Sequence, residues 1–188
     1  MTTPHSRRTI TKGLFLGIPL ATLGLTAAGA TTIQPNQYVS KTLLENARDV
    51  RLHKVLTPNL IPVTGNRWYQ RLQTRSGSNG NLYSVLSLKD SRTANLKLEF
   101  KLNGVTTTKA SKDFPATMMG KPFEMYLTVT GDNVLATVWH NKVQQARLTA
   151  TGANQFNGTT SSTAAYVEGN RATDFRDTTK AEHLGGTT

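Results

Sequence analysis

Apolar and polar residues alternate with a period of two through most of the chain after residue 49. In the clearest example, residues 96–102, three leucines and a phenylalanine alternate with two lysines and a glutamate. A period of two is typical of β-strands, because successive side chains leave a strand on opposite faces. One face of such a strand lies on a core and the other meets water.

Turn signals separate the alternating segments. Asn-Gly occurs at 79–80 and 103–104, and Gly-Asp-Asn occurs at 131–133. These sequences favour tight turns between antiparallel strands. Eight to ten short strands are predicted, drawn from 49–57, 67–75, 82–89, 96–102, 105–111, 123–130, 134–139, 143–150, 164–168 and 172–178.

The pattern predicts an all-β fold, a two-sheet antiparallel β-sandwich or a barrel. No helical period alternates with the strands, which argues against a parallel α/β sheet. Residues 38–48 show a weak pattern and are expected to form a short helix or an irregular lead-in. Residues 151–162 are rich in Gly, Asn, Thr and Ser, and are expected to form a long loop.

The first thirty residues have the three zones of a signal peptide: a positive start, an apolar stretch and a small-residue end. The block Ser6, Arg7, Arg8 and Lys12 resembles the twin-arginine export consensus, with Ala28 and Ala30 fitting an A-x-A cleavage site. The apolar run is too short and too diluted for a stable membrane span. The resemblance implies a signal-peptide helix, export by the twin-arginine translocase, a bacterial or archaeal source, and a secreted or envelope location.

Four segments follow from this organisation: a signal peptide 1–30, a lead-in 31–48, a β-sandwich domain 49–180 and a flexible tail 181–188. Cleavage after residue 30 leaves 158 of the 188 residues, which is enough for one core. There are no cysteines, which excludes disulfides, zinc-thiolate sites and thiol catalysis.

The whole chain has a formal charge of +11, and removing the three cations of the signal leaves +8. This excess favours acidic partners such as an anionic polysaccharide or another envelope polymer. The lysines and arginines are scattered, however, which is more typical of solubility than of a binding stripe. No nucleic-acid motif accompanies them, so nucleic acid is not a predicted partner.

Three stretches have a characteristic pattern of strand and turn residues: RWYQRLQTRSGSNGNLYSVLSL, PFEMYLTVTGDNVLATVWHNK and AAYVEGNRATDFRDTT. The Ala-x-x-Trp motif at 136–139 and the aspartate-rich segment 174–177 contribute to it. Over residues 49–178 the chain resembles the concanavalin A-like, or laminin-G-like, jelly-roll domains. The resemblance implies a jelly-roll sandwich. Many such domains bind carbohydrate, some cleave it by hydrolysis or elimination, and others are structural or adhesive.

The catalytic patterns of that superfamily are mostly missing. The Glu-x-Asp-x-x-Glu signature of its hydrolases is absent, which argues against a pair of catalytic carboxylates. Arg71, Gln73 and Arg75 share one face of a predicted strand and could neutralise a uronate, as a polysaccharide lyase requires. The related lyases carry a glutamate where Gln73 stands, and their Gln-x-His signature is missing.

Aromatic side chains favour glycan binding, because sugar C–H faces stack on rings. Alternation places Tyr69, Tyr83, Tyr126 and Trp139 opposite the apolar face of their strands. A second core layer is the competing interpretation. The candidate ligand-binding residues are Tyr69, Arg71, Gln73, Arg75, Tyr83, Tyr126, Trp139 and His140.

The sequence therefore favours a secreted, non-catalytic module that recognises polysaccharide or a cell-surface glycan. The alternatives are a lyase acting on an anionic, uronate-containing polysaccharide and an adhesion module that binds protein. Turn oxygens at Asp132-Asn133 or Asp174–Asp177 suit calcium, but isolated turn aspartates usually only form turns. No catalytic residue, metal or cofactor is predicted.

Overall fold

The computed structural model describes residues 29–58, 67–88, 93–115, 121–169 and 173–185. These residues form twelve β-strands and one turn of 3-10 helix, Ala153–Gln155. The strands are β1 Gly29–Ile33, β2 Tyr38–Leu44, β3 Val50–Pro58, β4 Arg67–Gly77, β5 Gly80–Leu88, β6 Thr93–Leu102, β7 Val105–Pro115, β8 Phe123–Thr130, β9 Asn133–His140, β10 Val143–Thr151, β11 Thr160–Glu168 and β12 Thr173–His183.

The strands form two antiparallel sheets of six strands each. Sheet I has the order β1-β12-β3-β8-β9-β10, and sheet II has the order β2-β11-β4-β5-β6-β7. Hairpins such as β4–β5 and β8–β9 pair neighbours in sequence, whereas β11 and β12 return from the end of the chain into the middle of each sheet. The prediction of a two-sheet antiparallel sandwich is confirmed.

The core lies between the sheets, where one side of each alternating strand is buried. Burying this apolar surface is the main driving force that holds the sheets together. The fully enclosed side chains come from both sheets: Leu52, Leu56, Phe123, Met125 and Leu127 from sheet I, and Trp68, Leu72, Leu82, Leu86 and Leu96 from sheet II.

Segments at the start and end of the chain differ from expectation. Residues 38–44 form the edge strand β2, not a helix or irregular segment, and most of its side chains are exposed on both faces. An edge strand exposed in this way has no reason to alternate, so its sequence carries no strand signal. β11 begins at Thr160 inside the expected loop, and β12 continues to His183 inside the expected tail.

The proposed export motif, Ser6, Arg7, Arg8 and Lys12, lies outside the described residues, as do Ala28 and the expected signal helix. Gly29 and Ala30 begin β1, where they pair with Asp177 and Arg176 of β12. Among the residues that the structure describes, no helix has the length and apolar character needed to cross a membrane.

Candidate functional site

The outward side chains of sheet II align in rows that run across the strands. Residues paired in register on neighbouring antiparallel strands place their side chains side by side on one face. One row begins with three tyrosines, because Tyr38 of β2 pairs with Tyr166 of β11, which pairs in turn with Tyr69 of β4. The rings of Tyr69 and Tyr166 lie 5.9 Å apart and are tilted by 35°.

A groove of about 410 Å³ runs beside this row. Its floor is formed by small or apolar side chains that point outward and yet are buried: Ala164 is 3% exposed and Val85 is 7% exposed. These outward side chains are buried because larger side chains beside them project further from the sheet and cover them. The groove is lined by Tyr38, Tyr69, Arg71, Val85, Ala164, Ala165, Tyr166 and Glu168.

Hydrogen bonds hold two of the three tyrosines in place. The Tyr69 hydroxyl donates to Glu168 Oε2 at 2.8 Å, and the Tyr166 hydroxyl donates to Asn36 Oδ1 at 3.3 Å. Burial raises the pKa of Tyr69, and Glu168 raises it further against the opposing effect of Arg67. Tyr69 therefore stays a neutral phenol, and it presents a fixed ring to the groove.

Arg71 and Tyr83 form the next part of the face. The Arg71 guanidinium carbon lies 4.0 Å from the centre of the Tyr83 ring, a cation–π contact. Burial raises the pKa of Tyr83, with Arg71 acting against that shift. Gln73 follows on the same face, where its amide donates to Ser76 Oγ at 2.8 Å. The structure thus brings together Tyr69, Arg71, Gln73 and Tyr83 as the alternation predicts.

Arg75 does not share this face, contrary to the sequence-based expectation. The register of β4 against β5 shifts between Thr74 and Gly77, and Arg75 adopts a φ of 50°. This bulge breaks the alternation and turns the side chain inward. Arg75 is 1% exposed, and its guanidinium donates to Asp49 Oδ1 and to three backbone carbonyls. It is a structural residue at one end of the sandwich.

Tyr126 and Trp139 lie on the outer face of sheet I, on the opposite side of the molecule from the groove. Tyr126 and Trp139 therefore do not share a site with the candidate residues Tyr69 and Tyr83, because alternation along a strand does not say which sheet the strand joins. The Tyr126 ring stacks on His53 at 4.2 Å, and its hydroxyl donates to Glu124.

A second depression, of about 570 Å³, lies on sheet I near the β9–β10 end. Threonines, Leu135 and Arg147 line it together with a few small or polar residues, and no aromatic ring does. It lacks the stacking surface that the groove of sheet II offers.

His140 is also separate from the groove. It is the last residue of β9, and it is 9% exposed. Its ring contacts Phe123 with centroids 5.1 Å apart, and Nδ1 donates to the carbonyl of Pro122 at 3.1 Å. These contacts make it a packed side chain at the edge of the core.

Sequence reasoning missed Tyr38, Tyr166, Glu168 and the floor residues Val85 and Ala164 as parts of one site. Tyr166 and Glu168 alternate with buried residues in β11, so their outward direction could have been deduced. The pairing of β2, β11 and β4 joins residues more than 80 positions apart, which no local pattern encodes.

The described residues contain no cluster of three or more acidic or histidine side chains suited to a metal ion. The carboxylate of Asp132 accepts the backbone N–H groups of Gly152 and Asn154, each at 2.9 Å. Those two bonds hold the pKa of Asp132 below its ordinary value. The side chain thus ties the β8–β9 turn to the segment that contains the 3-10 helix. The side chains of residues 173–176 lie outside the described part.

No protein-family model matches the chain, and no curated protein matches it by sequence. Solved structures do match the fold. The carbohydrate-binding CBM2 module of the evolved Dit of Lactobacillus casei BL23 phage J-1 has a TM-score of 0.59 at 10% identity, covering 80% of this chain and 71% of that one. The legume lectin-like domain from Entamoeba histolytica has a TM-score of 0.51 at 11% identity, covering 87% and 82%.

The β-glucanase of Bacillus licheniformis has a TM-score of 0.53 at 9% identity, covering 87% of this chain and 82% of that one. Identities this low establish a shared fold only. The shared fold is a jelly-roll β-sandwich.

Proposed function

We propose that this domain is a non-catalytic module that binds a polysaccharide or cell-surface glycan in the groove of sheet II. The row Tyr38–Tyr166–Tyr69 is the observation that carries the proposal. Neighbouring strands lie about 4.8 Å apart, so the three rings form a continuous apolar strip across the sheet. Such a strip suits the C–H faces of successive sugar units.

Pre-organisation supports the same function. Hydrogen bonds from the Tyr69 and Tyr166 hydroxyls fix their rings before any ligand arrives. Side chains that are already ordered lose little conformational entropy on binding, which preserves affinity. The fold similarity to a carbohydrate-binding module and a lectin-like domain is further support.

The carboxylates of this face do not suit glycoside hydrolysis. Glu168 lies on β11 and Glu99 on β6, with β4 and β5 between them. Three strand spacings of about 4.8 Å separate them across the sheet by roughly 14 Å. Glu168 is also level with Arg67, whereas Glu99 is level with Gln73, an offset of roughly 20 Å along the strands. Both distances exceed the roughly 5–9.5 Å that paired glycosidase carboxylates require. A binding role therefore fits this pair better than hydrolysis.

Binding is tested on the purified domain by affinity electrophoresis and calorimetry against a panel of neutral and charged polysaccharides. The variants Tyr166→Ala and Tyr69→Ala should each weaken binding by about tenfold. This corresponds to the loss of one ring-stacking contact, which costs about 1–3 kcal/mol where the stacked ligand is a nucleic-acid base. Tyr126→Ala, on the outer face of sheet I, is the matched control and should bind like wild type. Unchanged affinity in both groove variants, or no ligand in the panel, would contradict the proposal.

A polysaccharide lyase is the second candidate, because Arg71, Gln73 and Tyr83 lie together on the groove face. A lyase would use the cationic and amide groups to neutralise a uronate and a tyrosine to move the proton. The test is a rise in ultraviolet absorbance from unsaturated uronate when the domain meets polyuronates. A rise that Arg71→Ala abolishes would favour the lyase over the binding module.

We further propose export through the twin-arginine route and a secreted or envelope location, on the strength of Ser6, Arg7, Arg8 and Lys12. Changing Arg7 and Arg8 together to lysine should retain the precursor in the cytoplasm. Unimpaired export of that variant would refute this route. N-terminal sequencing of the exported protein locates the cut, which after Ala30 would remove two of the five residues of β1.

A further inference from the structure

Arg71 is a positioned cation without a counter-ion in the described part of the molecule. Its guanidinium stacks on Tyr83, and within those residues no carboxylate forms an ion pair or hydrogen bond with it. The acidic groups of the face have other partners: Glu168 accepts from Tyr69, Glu99 accepts from Thr108 at 3.2 Å, and Asp113 accepts from the Asn95 amide at 2.6 Å. An oriented arginine of this kind is suited to an external anion.

Lys97 provides a second cation in the same row. Val85 of β5 pairs with Arg71 on one side and with Lys97 of β6 on the other, so the two cations flank this floor residue. Lys97 is exposed, and none of the ion pairs among the described residues includes it. Two strand spacings separate the backbones by about 10 Å. The side chains of arginine and lysine are long enough for both to contact one small anion across that distance.

We propose that the ligand is an anionic glycan and that a carboxylate or sulfate ester on it binds above Val85, between Arg71 and Lys97. This inference rests on the proposed function and names the class of its ligand. The planar guanidinium offers paired donors to two oxygens of the anion, and Lys97 adds a point charge. The sugar rings on either side then extend over the tyrosine row.

Tyr83 has a definite part in this arrangement. Stacking on its ring holds the guanidinium over the face, and Tyr83 itself is only 4% exposed. Replacing Arg71 by lysine keeps the charge but loses both the paired donors and the planar stacking. Arg71→Lys should therefore bind the anion less tightly than wild type, while retaining more affinity than Arg71→Met.

The experiment compares a polyuronate and a sulfated polysaccharide with their carboxyl-reduced and desulfated counterparts by calorimetry. Wild type should prefer a charged polymer over its neutral form by about tenfold or more, the scale of one charge-assisted contact. Arg71→Met and Lys97→Met should each remove that preference, so that the variant binds a charged polymer no more tightly than its neutral counterpart. Preference for one of the two charged polymers identifies the carboxylate or the sulfate as the bound group.

Lys112→Met is the matched control, because Lys112 lies on the neighbouring β7 and pairs with the inward Leu96. A loss in this variant equal to that of Arg71→Met would mean that overall charge drives binding, and would overturn the site. Equal binding of charged and neutral polymers by the wild-type domain would also overturn the proposed anion site, while leaving the proposed function intact. Absence of binding to every polymer would instead refute the proposed function. Thermal melts confirm that each variant is folded.

Discussion

The guanidinium of Arg75 donates a 2.6 Å hydrogen bond to the carbonyl of Gly131, and thereby ties sheet II to the β8–β9 turn of sheet I. The same side chain also reaches the carbonyl of Ala153 at 2.8 Å and the carboxylate of Asp49 at 3.1 Å. A single arginine thus satisfies polar groups from three separate segments at one end of the sandwich. Their desolvation would otherwise destabilise this end of the core.

Arg75→Met should lower the free energy of unfolding by about 3–5 kcal/mol, because it removes the donor to three backbone carbonyls, and each unsatisfied buried acceptor costs about 1–3 kcal/mol. Arg75→Lys should recover only part of this loss, because an ammonium cannot span the same acceptors. Urea denaturation followed by fluorescence measures the change. Arg147→Met, on the exposed face of β10, is the control and should cost less than about 0.5 kcal/mol. A small effect of Arg75→Met would show that this end is held together by other contacts.

Arg75 marks the point on β4 at which prediction from the alternating pattern stops being correct. Alternation correctly places Tyr69, Arg71 and Gln73 outward on β4, because nothing interrupts the period of two. It fails two residues later, because the bulge that turns Arg75 inward depends on the partner strand and on the acceptors around Asp49. Local patterning cannot report a conformation that is fixed by distant contacts.

The tyrosine row shows a different limit. The sequence pattern predicts each contributing strand separately. It does not predict β2, because an exposed edge strand lacks alternation. Even with every strand known, the row exists only through the pairing of β2 with β11 and of β11 with β4. The fold class follows from periodicity, whereas the site follows from long-range register.

Lys54 and Asp177 form an ion pair inside the sandwich that gives a second prediction. Lys54 Nζ lies 3.0 Å from Asp177 Oδ2 and donates to Thr163 Oγ1 at 3.0 Å. Burial lowers the pKa of Lys54, and Asp177 opposes that shift. Asp177→Ala should cost about 3–5 kcal/mol of unfolding free energy, because it removes the carboxylate that neutralises a buried ammonium.

Lys54→Met should cost less than Asp177→Ala. Asp177 is partly exposed and can be hydrated, and Thr163 keeps a hydrogen bond to the carbonyl of Arg71. The double variant should be more stable than Asp177→Ala alone, since it also removes the buried ammonium that has lost its carboxylate. Denaturation of the three variants forms a double-mutant cycle. Strictly additive losses would show that the two side chains do not interact energetically.

Gly158 lies against the backbone where β4 ends. A Cβ built on Gly158 would come within 2.0 Å of the Ser76 carbonyl carbon and 2.4 Å of the Gly77 nitrogen, and backbone atoms cannot move away cheaply. Gly158→Ala should therefore destabilise the domain by about 1–3 kcal/mol through overpacking. The control is Gly185→Ala, where the nearest atom to the added Cβ is the Asp49 Cβ at 3.4 Å, an ordinary van der Waals distance. Equal melting temperatures for the two variants would contradict this packing.

His53 gives the domain a pH-dependent stability. Its ring is stacked on Tyr126 on the outer face of sheet I, with Nε2 3.4 Å from Glu124 Oε2. Burial lowers the pKa of His53, Glu124 raises it, and the positive charge of Lys180 lowers it again. The net shift is downward, so burial outweighs the attraction of the carboxylate.

The sign of the effect follows from the proton balance. Below the ordinary pKa of 6.5 the unfolded chain binds a proton at His53, while the folded protein still holds the ring neutral. The free energy of unfolding should therefore fall as the pH drops from about 6.5 through the folded pKa. His53→Gln should remove this slope, and Glu124→Gln should steepen it by withdrawing the opposing charge. Chemical denaturation between pH 5 and 8 measures the slope, and a wild-type stability that rose as the pH fell would show that the carboxylate dominates.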